Sequence, residues 1–351
     1  MSFNIEIEGS KSVRLPTKGK YCDRDIVITA TGGSGDDELI TAIINKTVTE
    51  VSNDKVATIG TFAFYSCPNL TTVNLPAATM IGPSAFQYCY NLTTVSIPAA
   101  TSIGGGAFYS CNKLTTVNFP VATSIGNYAF QYCSNLTTVS IPAATSIGSA
   151  AFCSCPNLTT VSFPVATTIA SSAFARCSNL TTVSIPEATS ISPSAFQSCY
   201  KLTTANFPVA ASIGSYAFYH CSNLTTISFP EAKSMGGSAF YSCPNLTTVS
   251  FPAMTTIDSY AFKSCPNLTT IFFPVVTLIS NAAFQDCSKL TTFVMAGSSV
   301  PKLSNSNAFL GTPMSTTGYF YVPSSLIASY QAATNWTYYS SRFSAIENAN
   351  F

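Results

Sequence analysis

The chain has 351 residues, of which 8% are Asp, Glu, Lys or Arg, and its formal net charge is +1; ordinary globular proteins carry about 25% charged residues. With so few cations and no basic stripe, phosphate-backbone binding has almost no electrostatic footing, and nucleic acid is not expected as a partner. No apolar run reaches the ~20 residues needed to cross a bilayer, so membrane insertion is not expected either.

At the N-terminus, residues 1–8 contain neither a basic n-region nor an apolar h-region, so no secretory signal is visible. Phe3, Ile5 and Ile7 alternate with polar residues, followed by Val13, Leu15 and Ile26 to Ile28. This pattern predicts a small β module over residues 1–31. Residues 32–37 are a Gly-rich flexible linker by composition. Residues 39–51 are apolar at mixed spacing and are expected to shield the first coil of a repeat array that begins near residue 57, so 32–56 is linker and cap.

Over residues 57–298 a unit of 22 residues recurs eleven times. Its first copy carries Ala63, Phe64, Cys67, Leu70, Thr71, Thr72, Val73, Leu75 and Pro76, and Ile81 leads into the next Ala85-Phe86 pair. A fixed period in the twenties predicts a mainly β solenoid in which each coil buries its apolar side only against its neighbours. Val73 and Leu75 mark a short strand with both side chains inward, which leaves Thr72 and Asn74 outward. Pro76 ends that strand because it has no N–H for the ladder. Ile81 makes a second inward contact. Ala85, Phe86 and Cys89 make a third, through a tight helical or 3-10 turn, so the coil closes.

A second rhythm spans two repeats. The residue before Pro runs Leu75, Ile97, Phe119, Ile141, Phe163, Ile185, Phe207, and the residue after it Ala77, Ala99, Val121, Ala143, Val165. Large and small residues are thus expected to interdigitate between layers. From Phe229 onward every repeat carries Phe before Pro, so packing is expected to change there.

Thirteen cysteines suggest a disulfide framework, but eleven occupy one repeat position from Cys67 to Cys287. In a solenoid they form a single file with parallel side chains, which reads as buried free thiols acting as small hydrophobes. Cys22 and Cys153 lie outside the file and are expected to be the more reactive.

After residue 298 the pattern decays. Lys302-Leu303 and Ala308-Phe309 echo a twelfth repeat, Tyr319 to Val322 reads as a last strand, and Ser324 or Ser325 is placed to N-cap a helix through Leu326, Ile327, Tyr330 and Ala333. Residues 299–351 are therefore a degenerate repeat with an α-helical cap, covering the open end a solenoid must shield.

Catalytic candidates are poor. His220 is the only histidine, and its adjacency to Cys221 in sequence makes no nucleophile–base pair. Glu187 and Glu231 share one repeat position and read as solubilising changes. The Cys file lacks the paired spacing of zinc sites. No catalytic, metal or cofactor site is expected.

Binding candidates fall on two surfaces. One is the outward strand file Thr72, Thr94, Thr116, Thr138, Thr160, Thr182, Thr204, Thr226 and Thr248, flanked by Asn74, Asn118 and Asn206 with serines between. It reads either as ordinary strand preference and Thr pairing or as an uncharged hydroxyl surface for a protein or glycan. The other is a file of edge tyrosines, Tyr65, Tyr88, Tyr109 and Tyr132, suited to protein contacts or simply to packing between coils. Where the hydroxyl file ends, Phe272 and Val294 form an outward apolar pair, which is either a binding patch or, in the favoured reading, a seat for the C-terminal cap with Tyr330 and Trp336. Eight Asn-Leu-Thr triplets from Asn69 to Asn267 match a glycosylation acceptor, but Asn also suits the turn before each strand.

The recurring Leu-Thr-Thr-Val-x-Ile/Phe-Pro, followed by Ile-Gly and Ala-Phe-x-x-Cys, resembles the BspA-like class of bacterial leucine-rich repeats from about Ile59 to Leu290. The resemblance implies a right-handed leucine-rich-repeat arc and a non-enzymatic role in adhesion or protein binding at a cell surface or after secretion. The chain departs from the general leucine-rich pattern at Ala78, Ala100 and Ala122, where an Asn ladder is absent. Alternatives are a structural spacer or display rod in a prophage-derived or surface assembly and, third, an ice-binding hydroxyl surface.

Overall fold

The structure, a computed structural model, describes residues 3–7, 11–15, 28–30 and 46–348. Cys22, the Gly-rich linker and residues 39–45 of the expected cap lie outside the described residues. The chain divides into two compact units, residues 1–166 with 173–180 and residues 167–172 with 181–351. Each is a mainly β, parallel solenoid.

In the first unit, Phe3–Ile7 pairs antiparallel with Lys11–Leu15. Ile28–Ala30 then pairs antiparallel with Val56–Ile59 of the first coil, with an irregularity between Thr29 and Ala30. Glu50–Ser52 pairs in register with Thr72–Asn74, so the parallel ladder begins within the stretch read as linker and cap. Thr72–Asn74 continues to Thr94–Ser96, and Thr116–Asn118 pairs with Thr138–Ser140. A second ladder stacks Ile81, Ile103, Ile125 and Ile147 on one another. Identical residues meet in register because every coil has the same length.

The third side of the coil is not a strand. Ser84, Phe86 and Tyr88 donate their N–H groups to the next coil, at Gly105 O, Ala107 O and Tyr109 O (2.8, 2.7 and 2.9 Å). The intervening Ala85, Gln87 and Cys89 donate backwards to Gly82, Ser84 and Phe86 (3.3, 3.2 and 3.1 Å). Alternate N–H groups can point along the stack because Ser84 and Tyr88 are left-handed, with φ of 54° and 64°. The corner therefore carries the i→i−3 bonds of a 3-10 turn without a helical run. Both left-handed positions recur from coil to coil.

The inward clusters are as expected. Phe64, Phe86, Phe108, Phe130, Phe152 and Phe174 form a face-to-face file with centroids 5.0 to 5.3 Å apart. Each buried Phe, Leu or Ile contributes about 1.5–3 kcal/mol, realised only when the next coil is present. The two-repeat alternation holds only before Pro: Phe119 and Phe163 are buried, but Val121 and Val165 are 45% and 44% exposed. At Val121 and Val165 the residue after Pro lies on a turn at the surface rather than between layers.

In the second unit, Ile169, Ile191, Ile213, Met235, Ile257, Ile279 and Leu303 form the corresponding ladder. Here Phe207, Phe229, Phe251 and Phe273 stack as an aromatic file of their own, with successive centroids 5.8 to 6.1 Å apart, which is the packing change the sequence signals. Lys302–Leu303 and Tyr319–Val322 extend the two ladders, and Phe309 stacks on Phe284 at 5.4 Å. Beyond Pro323 the chain forms a 3-10 turn, Ser324–Leu326, without a side-chain cap, and the α-helix is only Ile327–Ala332. A further strand, Phe343–Ala345, pairs with Tyr319–Val322; three residues are too short a run to carry a strand signal. Trp336 Nε1 donates to Pro301 O (2.8 Å) and Asn335 Nδ2 to Leu303 O (2.7 Å), fastening this segment to the last coil.

Candidate binding surface

Three residues per strand leave only two outward positions. In the first unit these are Thr72, Thr94, Thr116, Thr138 and Thr160, beside Asn74, Ser96, Asn118, Ser140 and Ser162; in the second, Thr182, Thr204, Thr226 and Thr248, beside Ser184, Asn206, Ser228 and Ser250. All are exposed except Thr72, which is half-buried. Neighbours pair in register, for example Thr116 with Thr138 and Asn118 with Ser140. Asn206 Nδ2 reaches Ser184 Oγ at 3.5 Å.

The Thr-Thr pair divides its labour. In several pairs the first hydroxyl donates back to a main-chain carbonyl one coil earlier: Thr93 to Thr71 O (3.0 Å), Thr137 to Thr115 O (3.1 Å), Thr203 to Thr181 O and Thr247 to Thr225 O (both 3.1 Å). A second structural file does the same on the next side, with Thr101 bonded to Thr79 O (3.0 Å) and Thr145 to Thr123 O (3.1 Å). Among the described residues, the hydroxyls of Thr116, Thr138, Thr226 and Thr248 make no such bond. The outward file thus keeps donors and acceptors for a partner while its neighbour secures the ladder. In the sequence the pair reads as one feature; the signal that separates its members is position relative to the strand.

The edge tyrosines lie on the corner. Tyr65, Tyr88, Tyr109 and Tyr132 meet edge to face in succession, with centroids 5.6, 5.5 and 5.4 Å apart. Tyr65, Tyr88 and Tyr109 are half-buried and Tyr132 is exposed. Partial burial raises the Tyr109 phenol above its usual value, and Tyr132 and Tyr88 beside it add to this. They pack on one another and still present their edges. Tyr88 and Tyr132 occupy left-handed corners (φ 64° and 62°), as do Tyr128, Tyr216 and Tyr260, Arg176 and His220. An L-residue pays roughly 1–2 kcal/mol there, which glycine avoids, and Gly106 does hold one such corner. Large side chains at these corners are not explained by the backbone.

The cysteine file is buried and free. Its thiols are more than small hydrophobes: Cys89 Sγ donates to Phe64 O at 3.0 Å, and Cys111, Cys133, Cys155 and Cys177 repeat this at 3.1 Å. Burial pushes the Cys133 and Cys221 thiols up to about 12, so neither supplies a thiolate near neutral pH. Cys153 is half-buried beside Ser154.

His220 lies 4.3 Å from the Tyr219 ring, while the Cys221 thiol faces Phe196 O at 3.2 Å, so the two adjacent residues serve different environments. Glu187 and Glu231 are both exposed, each on the turn after its Pro. Among the described residues no group of three His, Cys, Asp or Glu is placed to hold a metal. No helix among them is long and apolar enough to cross a membrane.

The apolar pair at the C-terminal end is split. Val294 is buried at 1% exposure, between Phe272 and Tyr321 in register, but Phe272 is 48% exposed. The cap seats instead on Met295, 3.8 Å from the Tyr330 hydroxyl, and on Phe309 and Phe320 around Trp336. Phe272 is not part of that seat.

Asn amides of the Asn-Leu-Thr triplets bridge coils: Asn91 Nδ2 donates to Pro68 O (2.7 Å) and Asn267 Nδ2 to Pro244 O (2.9 Å). The turn accounts for the triplet.

No curated protein matches the chain. Among solved structures, a leucine-rich repeat protein from Bacteroides ovatus superposes with a TM-score of 0.55 at 22% identity, covering 86% of this chain and 85% of its own. A leucine-rich cell surface protein from Faecalibacterium prausnitzii gives 0.47 at 24% identity, covering 84% and 90%. The first likeness supports the fold. The model of the BspA-type leucine-rich repeat region, six copies long, matches residues 45–123, 101–212 and 189–316. With its register of Leu, Cys and Phe files, the chain belongs to the BspA-type leucine-rich repeat family.

Proposed function

We propose that this protein is a non-enzymatic interaction solenoid that works in adhesion at a cell surface or after secretion, binding a protein or glycan through its outward strand face. The observation that carries this reading is the set of outward hydroxyls without an internal bond, Thr116 and Thr138 in the first unit and Thr226 and Thr248 in the second, where the adjoining Thr137 and Thr247 spend theirs on the ladder. Pairing alone needs only one of them. A sheet of uncharged donors and acceptors at about 4.8 Å intervals offers many weak, regular contacts and little desolvation cost from charge. Family membership supports a binding scaffold and is in keeping with a place at the cell surface.

The test compares the full chain with a variant carrying Thr94→Lys, Thr116→Lys, Thr138→Lys and Thr160→Lys, applied to immobilised matrix proteins, mucin and cells. Loss of binding with unaltered melting supports the strand face. Equal binding by both proteins removes it from the interface, and no binding by the parent favours a spacer or display rod.

A further inference from the structure

One corner column alternates small and large residues: Ser110, Tyr132, Ser154 and Arg176, all left-handed with φ of 58° to 62°. Within the first unit these four line an open groove of about 530 Å³, with Asn112 and Ser134 along its side. Tyr132 and Arg176 stand two coils apart, about 9.6 Å by strand spacing, and Ser154 lies low between them. The slot exists because the small residue separates two large ones. Asn112, with its amide nitrogen turned to Tyr132 O at 2.7 Å and Ser110 O at 3.2 Å, pins the corner from which the ring projects.

The chemistry of the walls is mixed in a particular way. Tyr132 offers an exposed ring. Ser110, Ser134 and Ser154 offer hydroxyls, and Arg176 brings an exposed guanidinium. The whole stretch 56–180 contains no Asp or Glu, and its only cations are Arg176 and Lys113, which follows Asn112 in sequence. Nothing acidic in that stretch neutralises the guanidinium. An aromatic wall suits the C–H face of a pyranose, the serines suit its hydroxyls, and a planar cationic fork suits a carboxylate. An extended acidic peptide would want backbone partners at a strand edge or an apolar pocket, and the groove provides neither.

We propose that this groove is a saccharide subsite selective for a sugar that carries a carboxylate, with Tyr132 stacking on the ring and Arg176 pairing with the acid. It lies on the corner rather than the strand face, so it stands or falls separately from the adhesive reading of the Thr file.

Calorimetry of the full chain with a galacturonate trisaccharide and the neutral galactose trisaccharide tests it. The acid is expected to bind on the order of tenfold more tightly, as one charged hydrogen-bonded contact implies. Arg176→Gln should erase that preference while leaving the neutral sugar unchanged. Ser154→Tyr fills the slot and should weaken both sugars together; Tyr already occupies this column at Tyr132, so the coil accepts it. Melting curves of each variant separate a folding defect from a lost site. Equal affinity for the two sugars overturns the proposal, as does an unchanged preference in Arg176→Gln. Binding of an acidic hexapeptide in place of either sugar, or no binding at millimolar concentration, overturns it too.

Discussion

The Cys89 thiol donates to the main-chain carbonyl of Phe64, one coil back, at 3.0 Å. The same carbonyl position one coil on, Phe86 O, accepts both its own Cys89 N–H (3.1 Å) and the Cys111 thiol (3.1 Å). Both lone pairs of a buried acceptor are thus used, one within the coil and one between coils. This explains why a file that needs a small apolar residue contains Cys rather than Ala.

Replacing Cys155 by Ala removes a sulfur and this donor, but Phe130 O keeps the Cys133 N–H at 3.2 Å and is not orphaned. The expected cost is therefore moderate, about 1–2 kcal/mol in equilibrium denaturation. The infrared S–H stretch of the parent should lie below that of a free thiol, and its intensity should fall with each Cys→Ala change. An S–H band at the free-thiol frequency would dismiss the bond.

Stability should collapse in alkali. Burial holds the thiols of Cys67, Cys89, Cys111, Cys133, Cys155, Cys177, Cys221, Cys265 and Cys287 above their ordinary value of 9.0, at about 12 for Cys133 and Cys221. Below pH ~9 the thiols are protonated in both states and full stability is present. Above it the unfolded chain releases protons that the folded chain retains, so each thiol costs about 1.4 kcal/mol per pH unit until the folded value is passed. Many thiols titrating together make the loss steep. Denaturation curves over about pH 8 to 11 check this, and Cys155→Ala should lower the slope by one proton. Stability that stays flat across that range contradicts the buried reduced file.

The repeat made the core files legible, because Phe86, Cys89, Leu92 and Ile103 recur at one spacing and every coil repeats their contacts. What the spacing hid was local conformation. The left-handed corners at Ser84 and Tyr88 carry ordinary L-residues rather than Gly, so no residue type marks them and the corner reads as helical. Val121 reads as a layer partner of Phe119, yet the turn at Pro120 carries it outside. The binding surfaces were legible as files of outward Thr and Tyr. The division between engaged and free hydroxyls was not, since Thr137 and Thr138 are chemically alike and differ only in which side of the strand they leave.

That difference predicts opposite behaviour for neighbouring substitutions. Thr137→Val loses the hydroxyl bond to Thr115 O at 3.1 Å and should cost about 0.5–1.5 kcal/mol. Thr138→Val loses no internal bond and suits a strand, so its stability should stay within about 0.5 kcal/mol of the parent. Ligand binding should change in the opposite order. Equal destabilisation by the two changes would mean that both hydroxyls are structural, and the strand-face reading would then lose its support.

Phe272 and Val294 give the sharpest test of how the C-terminal end is used. They are in register on adjacent strands, but Phe272 is 48% exposed and Val294 1%. Val294→Ser buries a hydroxyl where an isopropyl group packed, and should cost about 2–3 kcal/mol by urea denaturation. Phe272→Ser removes a ring that remains largely in water and extends the Ser file from Ser250, so its effect on stability should stay within about 0.5 kcal/mol. A large loss at Phe272 would mean that the ring does seat the cap. If stability holds, a single exposed Phe at the end of a hydroxyl sheet is an apolar anchor beside weak polar contacts, and binding by the Phe272→Ser variant should fall further than binding by any single Thr variant of the face.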